Sequence, residues 1–249
     1  MTHRAPPPPG GLLGGRWNAD VRTALLRLIT APHEGEAPVC VLDWDNTCIR
    51  GDVGEAALAW LDAADGGHRL AHYEAMIAEH GKRAAYIWCA EAVAGRTETA
   101  LRTLAWHLWS GGLAAGTLAE RPEMRELMWV LQRYGWDVWI VSASQATLVE
   151  VAAQRYGISA ARVVGMSPPA GADGVLQPDL EGPPTYREGK VQAIEAEIGR
   201  TPALAVGDAE TDLEMLEQAE HALLIDRGDA DLRARAQGAG WWVQPAFED

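Results

Sequence analysis

The chain has 249 residues, 48% of them hydrophobic and 22% charged, and carries a formal charge of −14 at neutral pH. That is enough chain to bury a large core, and no apolar run reaches the ~20 residues a membrane helix needs. The acid excess, with no basic stripe to neutralise phosphates, argues against nucleic acid or an anionic membrane as partner.

Residues 1–15 contain prolines 6–9 and several glycines but no apolar signal core, and are read as a flexible leader. Residues 20–30 follow as a helix packing on the core. The apolar run Val39-Cys40-Val41-Leu42 is short and rich in β-branched side chains, as expected of a central parallel strand covered on both faces. It ends in Asp43-Trp44-Asp45-Asn46-Thr47, two carboxylates two residues apart. Ligands of open α/β sheets sit at the carboxyl ends of such strands. One carboxylate there can act as a nucleophile toward phosphorus while the second serves as acid and base. An Asp-x-Asp-x-Thr string alone also suits an ordinary turn or helix cap.

About ninety residues separate this element from the next strand, and they read as several helices with no strand pattern, an inserted helical cap. One helix starts at Ala56 to Leu61. Tyr73, Met76, Ile77 and His80 form one stripe at helical spacing, and Leu101, Leu104, Ala105 and Leu108 another, both read as core. Asp52 caps a helix starting at Val53 or touches a substrate ammonium group. Eleven tryptophans stand against one phenylalanine. Trp60, Trp88, Trp106 and Trp109 fall in the insertion, and some of them, Trp106 foremost, are with Trp44 candidates to line a pocket for a cationic group through cation–π attraction, against the alternative that Trp fills the core in place of Phe. Arg96 and Arg102 are candidates for a substrate carboxylate.

The second half alternates strand and helix, with strands at 139–142, 162–166, 203–206 and 222–225, which predicts a parallel, doubly wound sheet. The strand 138–141 ends in Ser142-Ala143-Ser144, where the Ser142 hydroxyl and the Ala143 amide can donate to a phosphoryl oxygen; a simple helix cap is the other reading. Lys190 heads a helix marked by Val191, Ile194 and Ile198, as a fixed charge for a crowded phosphate or as an ordinary surface lysine. Ala203-Leu204-Ala205-Val206 runs into Gly207-Asp208, with Asp212 four residues on. Magnesium takes hard oxygen ligands, commonly one or two carboxylates, so Asp43 and Asp208 are candidates to share it. Asp212 is a third ligand, a partner of Lys190, or a carboxylate favoured by a helix N-terminus. Residues 168–184 form a long Gly/Pro-rich connection, and Trp241-Trp242-Val243 an edge strand or a tail folded onto the core. Three cysteines, Cys40, Cys48 and Cys89, have no metal-ligand spacing. They suit a reducing cytoplasm and are read as buried filler.

With its four elements in order, Asp43-Trp44-Asp45-Asn46-Thr47, Ser142, Lys190 and Gly207-Asp208-Ala209-Glu210-Thr211-Asp212, the chain resembles the haloacid dehalogenase-like superfamily over roughly residues 38–228. The cap inserted after the first element resembles the phosphoserine phosphatase-like branch, with Asp-Asn-Thr closer to phosphorylcholine phosphatase-like members. The resemblance implies a Rossmann-like α/β core at 16–51 and 126–249 and a cap at 52–125. It implies a phosphatase acting on a small phosphorylated metabolite, with Asp43 as nucleophile and Asp45 as acid/base. Ser142 and Lys190 would hold the phosphoryl group, and Mg2+ would lie among Asp43, the Asp45 backbone carbonyl, Asp208 and Asp212. Thr47, Asp52, Ala143, Trp44, Arg102 and Trp106 are the expected substrate-side residues. A phosphotransferase using the same intermediate, or a non-catalytic module of the same fold, are the rivals.

Overall fold

The computed structural model describes residues 12–247. From its start the chain forms α1 (Ala19–Thr30), β1 (Val39–Leu42) and β2 (Ile49–Arg50). Four helices follow: α2 (Val53–Asp65), α3 (Arg69–His80), α4 (Lys82–Glu91) and α5 (Glu98–Ala115). After β3 (Ala119–Glu120), strand and helix alternate: α6 (Pro122–Arg133), β4 (Asp137–Gln145), α7 (Ala146–Ala153), β5 (Val163–Met166) and α8 (Glu188–Glu197). β6 (Leu204–Gly207), α9 (Leu213–Gln218), β7 (Ala222–Asp226), α10 (Ala230–Gly238) and β8 (Trp242–Pro245) complete it.

Six strands form one sheet in the order β5-β4-β1-β6-β7-β8, and every neighbouring pair is parallel. β1 therefore lies inside the sheet, as its uninterrupted apolar sequence demands. Its side chains divide by the period of two: Cys40 and Leu42 enter the large cluster on one face, Val39 and Val41 the cluster on the other. The segment 241–243 yields an edge strand, β8, paired with β7. The long connection 168–184 contains an antiparallel bridge between Ala170 and Leu176, and its Val175 pairs with Thr97 of the helical insertion.

Four helices, α2 to α5, stand between β2 and β3, and these two short strands pair antiparallel as a two-stranded neck. The insertion is tied to the rest in two ways. Leu101, Leu104, Ala105, Leu108 and Trp109 of α5 join the main core cluster with Trp44, whereas Tyr73 and Ala85 pack with Leu58 in a separate cluster. On the opposite side, Lys82 pairs with Glu210 at 3.0 Å and the Tyr86 ring meets Tyr186 edge-on at 5.8 Å. No helix among the described residues is long and apolar enough to cross a membrane.

Of the expected leader, residues 1–11, prolines 6–9 among them, lie outside the described residues. Its last residues are packed: Leu13 is fully buried in the main cluster and Gly14 N donates to Glu126 Oε2 at 2.9 Å. A compositional reading gives the apolar pair Leu12-Leu13 no weight. Leu13→Ala should therefore destabilise the protein by about 2–5 kcal/mol in chemical denaturation, the usual cost of emptying a leucine site in a core; a change below about 0.5 kcal/mol would place Leu13 on a loosely held tail.

Candidate active site

The four elements named in the sequence meet at the carboxyl ends of β1, β4 and β6, where neighbouring parallel strands deliver their following loops to one place. Asp43 follows β1 directly, and its backbone N–H donates to Val206 O at 2.9 Å. Asp208 follows β6. The chain after Asp43 turns sharply, with Asn46 at φ 58° and Gly51 at φ 96°. Gly51 N donates to Asn46 Oδ1 at 3.3 Å, and Thr47 Oγ1 donates to Asp208 Oδ1 at 2.9 Å.

Lys190 is the hub. It is fully buried, and Nζ donates to Asp43 Oδ1 at 2.7 Å, Asp212 Oδ1 at 2.6 Å and Val141 O at 2.9 Å. All three ammonium donors are thus engaged. Two glycines make room for this. A Cβ on Gly189 would fall 1.8 Å from Pro184 O, and one on Gly207 would fall 2.6 Å from Asp212 Cβ. The other oxygen of Asp212 accepts from the backbone N–H of Asp208 and Ala209 at 3.1 and 3.2 Å. Asp212 therefore locks Lys190 and the loop bearing Asp208, and both its oxygens are occupied.

Asp45 lies beside this group with its own anchors. Its Oδ1 accepts from Val53 N at 2.8 Å, at the first turn of α2, and its Oδ2 from Ser144 Oγ at 2.7 Å. Ser142 Oγ accepts from Ser144 N at 3.1 Å and is 3.4 Å from Asp45 Oδ2. Ser144, two residues past Ser142, thus holds Asp45, a role that no motif in the sequence marks. Asp52 caps α2 through Glu55 N at 2.9 Å and also lines the cleft.

Burial of so many acids drives their protonation equilibria upward. Burial, then the charge of Asp212, push the Asp43 carboxyl up to about 8, against the opposing pull of Lys190. Asp45 is raised well above the usual carboxylate range, first by burial, then by the charges of Asp52 and Asp43, with the Ser144 hydrogen bond opposing. Asp208 is raised as well, by burial and then Asp212.

Carboxylate oxygens of Asp43, Asp208 and Asp212 lie within 4.8 Å of one another. Hard oxygens at this density suit a magnesium ion whose remaining positions go to water and phosphate. Asp43, with one oxygen on Lys190, and Asp208, whose oxygens accept from Thr47 and the half-exposed Arg227, fit as its carboxylate ligands. Asp212 is held by the fully buried Lys190 and two backbone N–H groups, and the Asp45 carboxylate by Val53 N and Ser144.

The cleft of about 610 Å³, part of it open to solvent, is lined by Asp43, Asp45, Asp52 and Asp208 on the acidic side, with Ala143, Tyr73, Tyr86, Cys89 and Arg227. Four expected substrate-side residues lie elsewhere, among them Thr47, fully buried on Asp208. Trp44 is fully buried beneath the site, edge-on to Tyr156 at 5.2 Å, because a side chain one residue from Asp43 points to the opposite side of the turn, into the core. Trp106 is 54% exposed, on a face of α5 away from the cleft. Arg102 pairs with Glu98 and Glu150, and Arg96 bonds Ala92 O. The aromatic rings at the cleft are instead Tyr73 and Tyr86, stacked with centroids 6.2 Å apart; a helical stripe containing Tyr73 signals packing whether or not its edge faces a ligand. Arg227, directly after β7, donates to Asp208 Oδ2 at 2.8 Å, and no motif in the sequence marks it. Cys89 lines the cleft, and Cys48 Sγ donates to Asp43 O at 2.9 Å, so only Cys40 is plain filler.

A family model described as haloacid dehalogenase-like hydrolase matches residues 40–217. A search of curated proteins returned no match. Among solved structures, a functionally unknown protein from Anaerococcus prevotii superposes with TM-score 0.74 at 18% identity, covering 92% of each chain. One of unknown function from Bordetella pertussis gives 0.73 at 17%, covering 86% of this chain and 100% of its own. A phosphoserine phosphohydrolase-like protein from Francisella tularensis gives 0.59 at 17%, covering 84% and 94%. At these identities the likeness is one of fold.

Because Asp43 binds its proton more tightly folded than unfolded, the metal-free native state holds the extra proton between about pH 4 and about pH 8. Its stabilising effect is complete below that window and is lost as pH rises through it. The melting temperature without metal should fall by about 5 °C or more between pH 5 and 8.5, and Asp43→Asn should flatten that slope; equal slopes in the two proteins, followed by scanning calorimetry, would contradict the assignment.

Proposed function

Because this chain belongs to the haloacid dehalogenase-like hydrolases, we propose that it is a magnesium-dependent phosphatase that cleaves a small phosphomonoester through an aspartyl-phosphate on Asp43. The observation that carries this reading is the buried Lys190 held between Asp43 and Asp212, with a second, separately anchored acid, Asp45, alongside.

In the first step an Asp43 oxygen attacks phosphorus and the bond to the leaving oxygen breaks. Asp45, whose carboxyl burial raises well above the usual carboxylate range, gives its proton to that oxygen and releases an alcohol. In the second step Asp45, now a carboxylate, takes a proton from water as the water oxygen attacks the phosphorus. Phosphate departs and Asp43 is regenerated. Ser142 Oγ accepts from Ser144 N and donates to Asp45 Oδ2 at 3.4 Å; with substrate bound, that hydroxyl hydrogen would turn to a phosphoryl oxygen. Lys190 acts through its fixed charge, which sits against the nucleophile. Asp43, Asp208 and the Asp45 backbone carbonyl would hold magnesium, which would supply positive charge to neutralise the phosphoryl oxygens.

The cap side supports a phosphoserine- or phosphocholine-like substrate. Asp52 and the stacked pair Tyr73 and Tyr86 line the cleft, and a carboxylate beside aromatic faces suits an ammonium group. A small metabolite of a reducing cytoplasm fits this reading.

Phosphate release with magnesium across phosphoserine, phosphocholine, phosphoethanolamine, sugar phosphates and nucleotides tests the activity. We expect one ester class to stand out and Asp43→Asn to abolish its turnover. Asp45→Asn should slow alkyl esters by about 10²- to 10⁴-fold and p-nitrophenyl phosphate far less, since only a poor leaving group needs the proton; retained turnover in Asp43→Asn would refute the nucleophile.

Tyr86→Ala should lower kcat/KM for phosphocholine about 2- to 30-fold relative to a neutral alkyl phosphate, the span of a cation–π contact, and Trp106→Ala should leave that ratio unchanged. The reverse pattern would return the pocket to the tryptophan.

A further inference from the structure

Asp208 has no free oxygen in this structure. Thr47 Oγ1 donates to Oδ1 at 2.9 Å, and Arg227 Nη1 donates to Oδ2 at 2.8 Å. The two partners differ in kind. Thr47 is fully buried inside the turn that follows β1. The Arg227 side chain is 46% exposed, it lines the cleft beside Asp43, Asp45 and Asp52, and Asp208 is its only hydrogen-bonding partner among the described residues.

Charge neutrality makes the same distinction. Asp43, Asp208 and Asp212 bring three buried carboxylates together, and a buried acid left without a counter-charge is strongly unfavourable. Lys190 faces two of them with every donor engaged and no exposure, so it has nowhere to go. Arg227 faces the third from the solvent side. The loop that carries Arg227 is itself fixed: Asp226 Oδ1 accepts from Gly228 N at 2.9 Å, Asp226 pairs with Arg233, and Ala246 N donates to Asp226 O at 2.9 Å. Any movement of this cation is therefore a rotation of its half-exposed side chain, with the backbone at rest.

We propose that Arg227 is a placeholder cation: it neutralises Asp208 while the metal site is empty and yields Oδ2 when a divalent ion takes that carboxylate. The inference rests on the reading of Asp43 and Asp208 as metal ligands. It explains how a cleft this acidic holds together before the ion arrives. It also makes the ion displace a positive charge, which keeps metal affinity moderate. Once released, the guanidinium has N–H groups facing the cleft at the moment an anionic phosphoester enters.

The test is Mg2+ binding by isothermal titration calorimetry on protein stripped with chelator, comparing wild type with Arg227→Gln and Arg227→Lys at one ionic strength. Removing a unit positive charge next to a dication should tighten Mg2+ binding by about tenfold in Arg227→Gln, while Arg227→Lys, which keeps the charge, should bind as weakly as wild type. The metal-free melting temperature of Arg227→Gln should also fall below that of the other two, with the three values converging at saturating Mg2+. Unchanged or weaker Mg2+ binding in Arg227→Gln would overturn the proposal and leave Arg227 as a residue that merely orients Asp208. Absence of Mg2+ binding in wild type would overturn both this proposal and the metal-dependent reading beneath it, whereas Mg2+ binding without turnover of any ester would bear on the phosphatase reading alone.

Discussion

The ammonium group of Lys190, sealed between two carboxylates and a backbone carbonyl, is the contact around which the rest of this molecule is arranged. A buried ion pair is weak as a source of stability, since both charges lose water to form it. Here it fixes positions. It ties the loop after β1 to the head of α8 and, through Asp212, to the loop after β6. Three segments far apart in sequence are thereby held at hydrogen-bonding precision, and the two glycines beside them leave no room for a side chain.

The same burial that makes Lys190 rigid gives the acids their character. Asp43 and Asp45 are two residues apart, yet they answer to different partners. Asp43 faces the lysine and the acids after β6, whereas Asp45 leans toward the first turn of α2 and the Ser144 hydroxyl. Burial is the first cause that raises both carboxyls, followed by the charge of Asp212 for Asp43 and of Asp52 for Asp45. Two carboxylates in one turn thus answer to different charged neighbours.

The helical insertion completes the cleft from above. It is rooted in the main core through α5 and touches the catalytic side through Lys82 and Tyr86. Asp43, Ser142 and Asp208 stand on or directly after strands of the sheet, while Tyr73 and Tyr86 reach the cleft from the helical insertion.

Much of this is determined by sequence alone. The apolar strand ahead of Asp43, the strand ahead of Ser142 and the strand ahead of Gly207-Asp208 specify a parallel sheet, because only strands covered on both faces read as unbroken apolar runs. That sheet then brings their carboxyl ends together, so Asp43, Ser142 and Asp208 are legible as one site, and the strandless stretch of about ninety residues is legible as a helical insertion. What tertiary structure alone decided is which side chains face the cleft. Trp44 turned inward, Trp106 outward and Arg102 to Glu150, while Tyr73, Tyr86, Ser144 and Arg227 came to the cleft from four separate places, α3, α4, β4 and the loop after β7. Periodicity reports that a face is buried and is silent on what buries it, and a single arginine after a strand carries no pattern. Those positions depend on how whole helices dock, a property of the packed molecule that no local stretch of residues encodes.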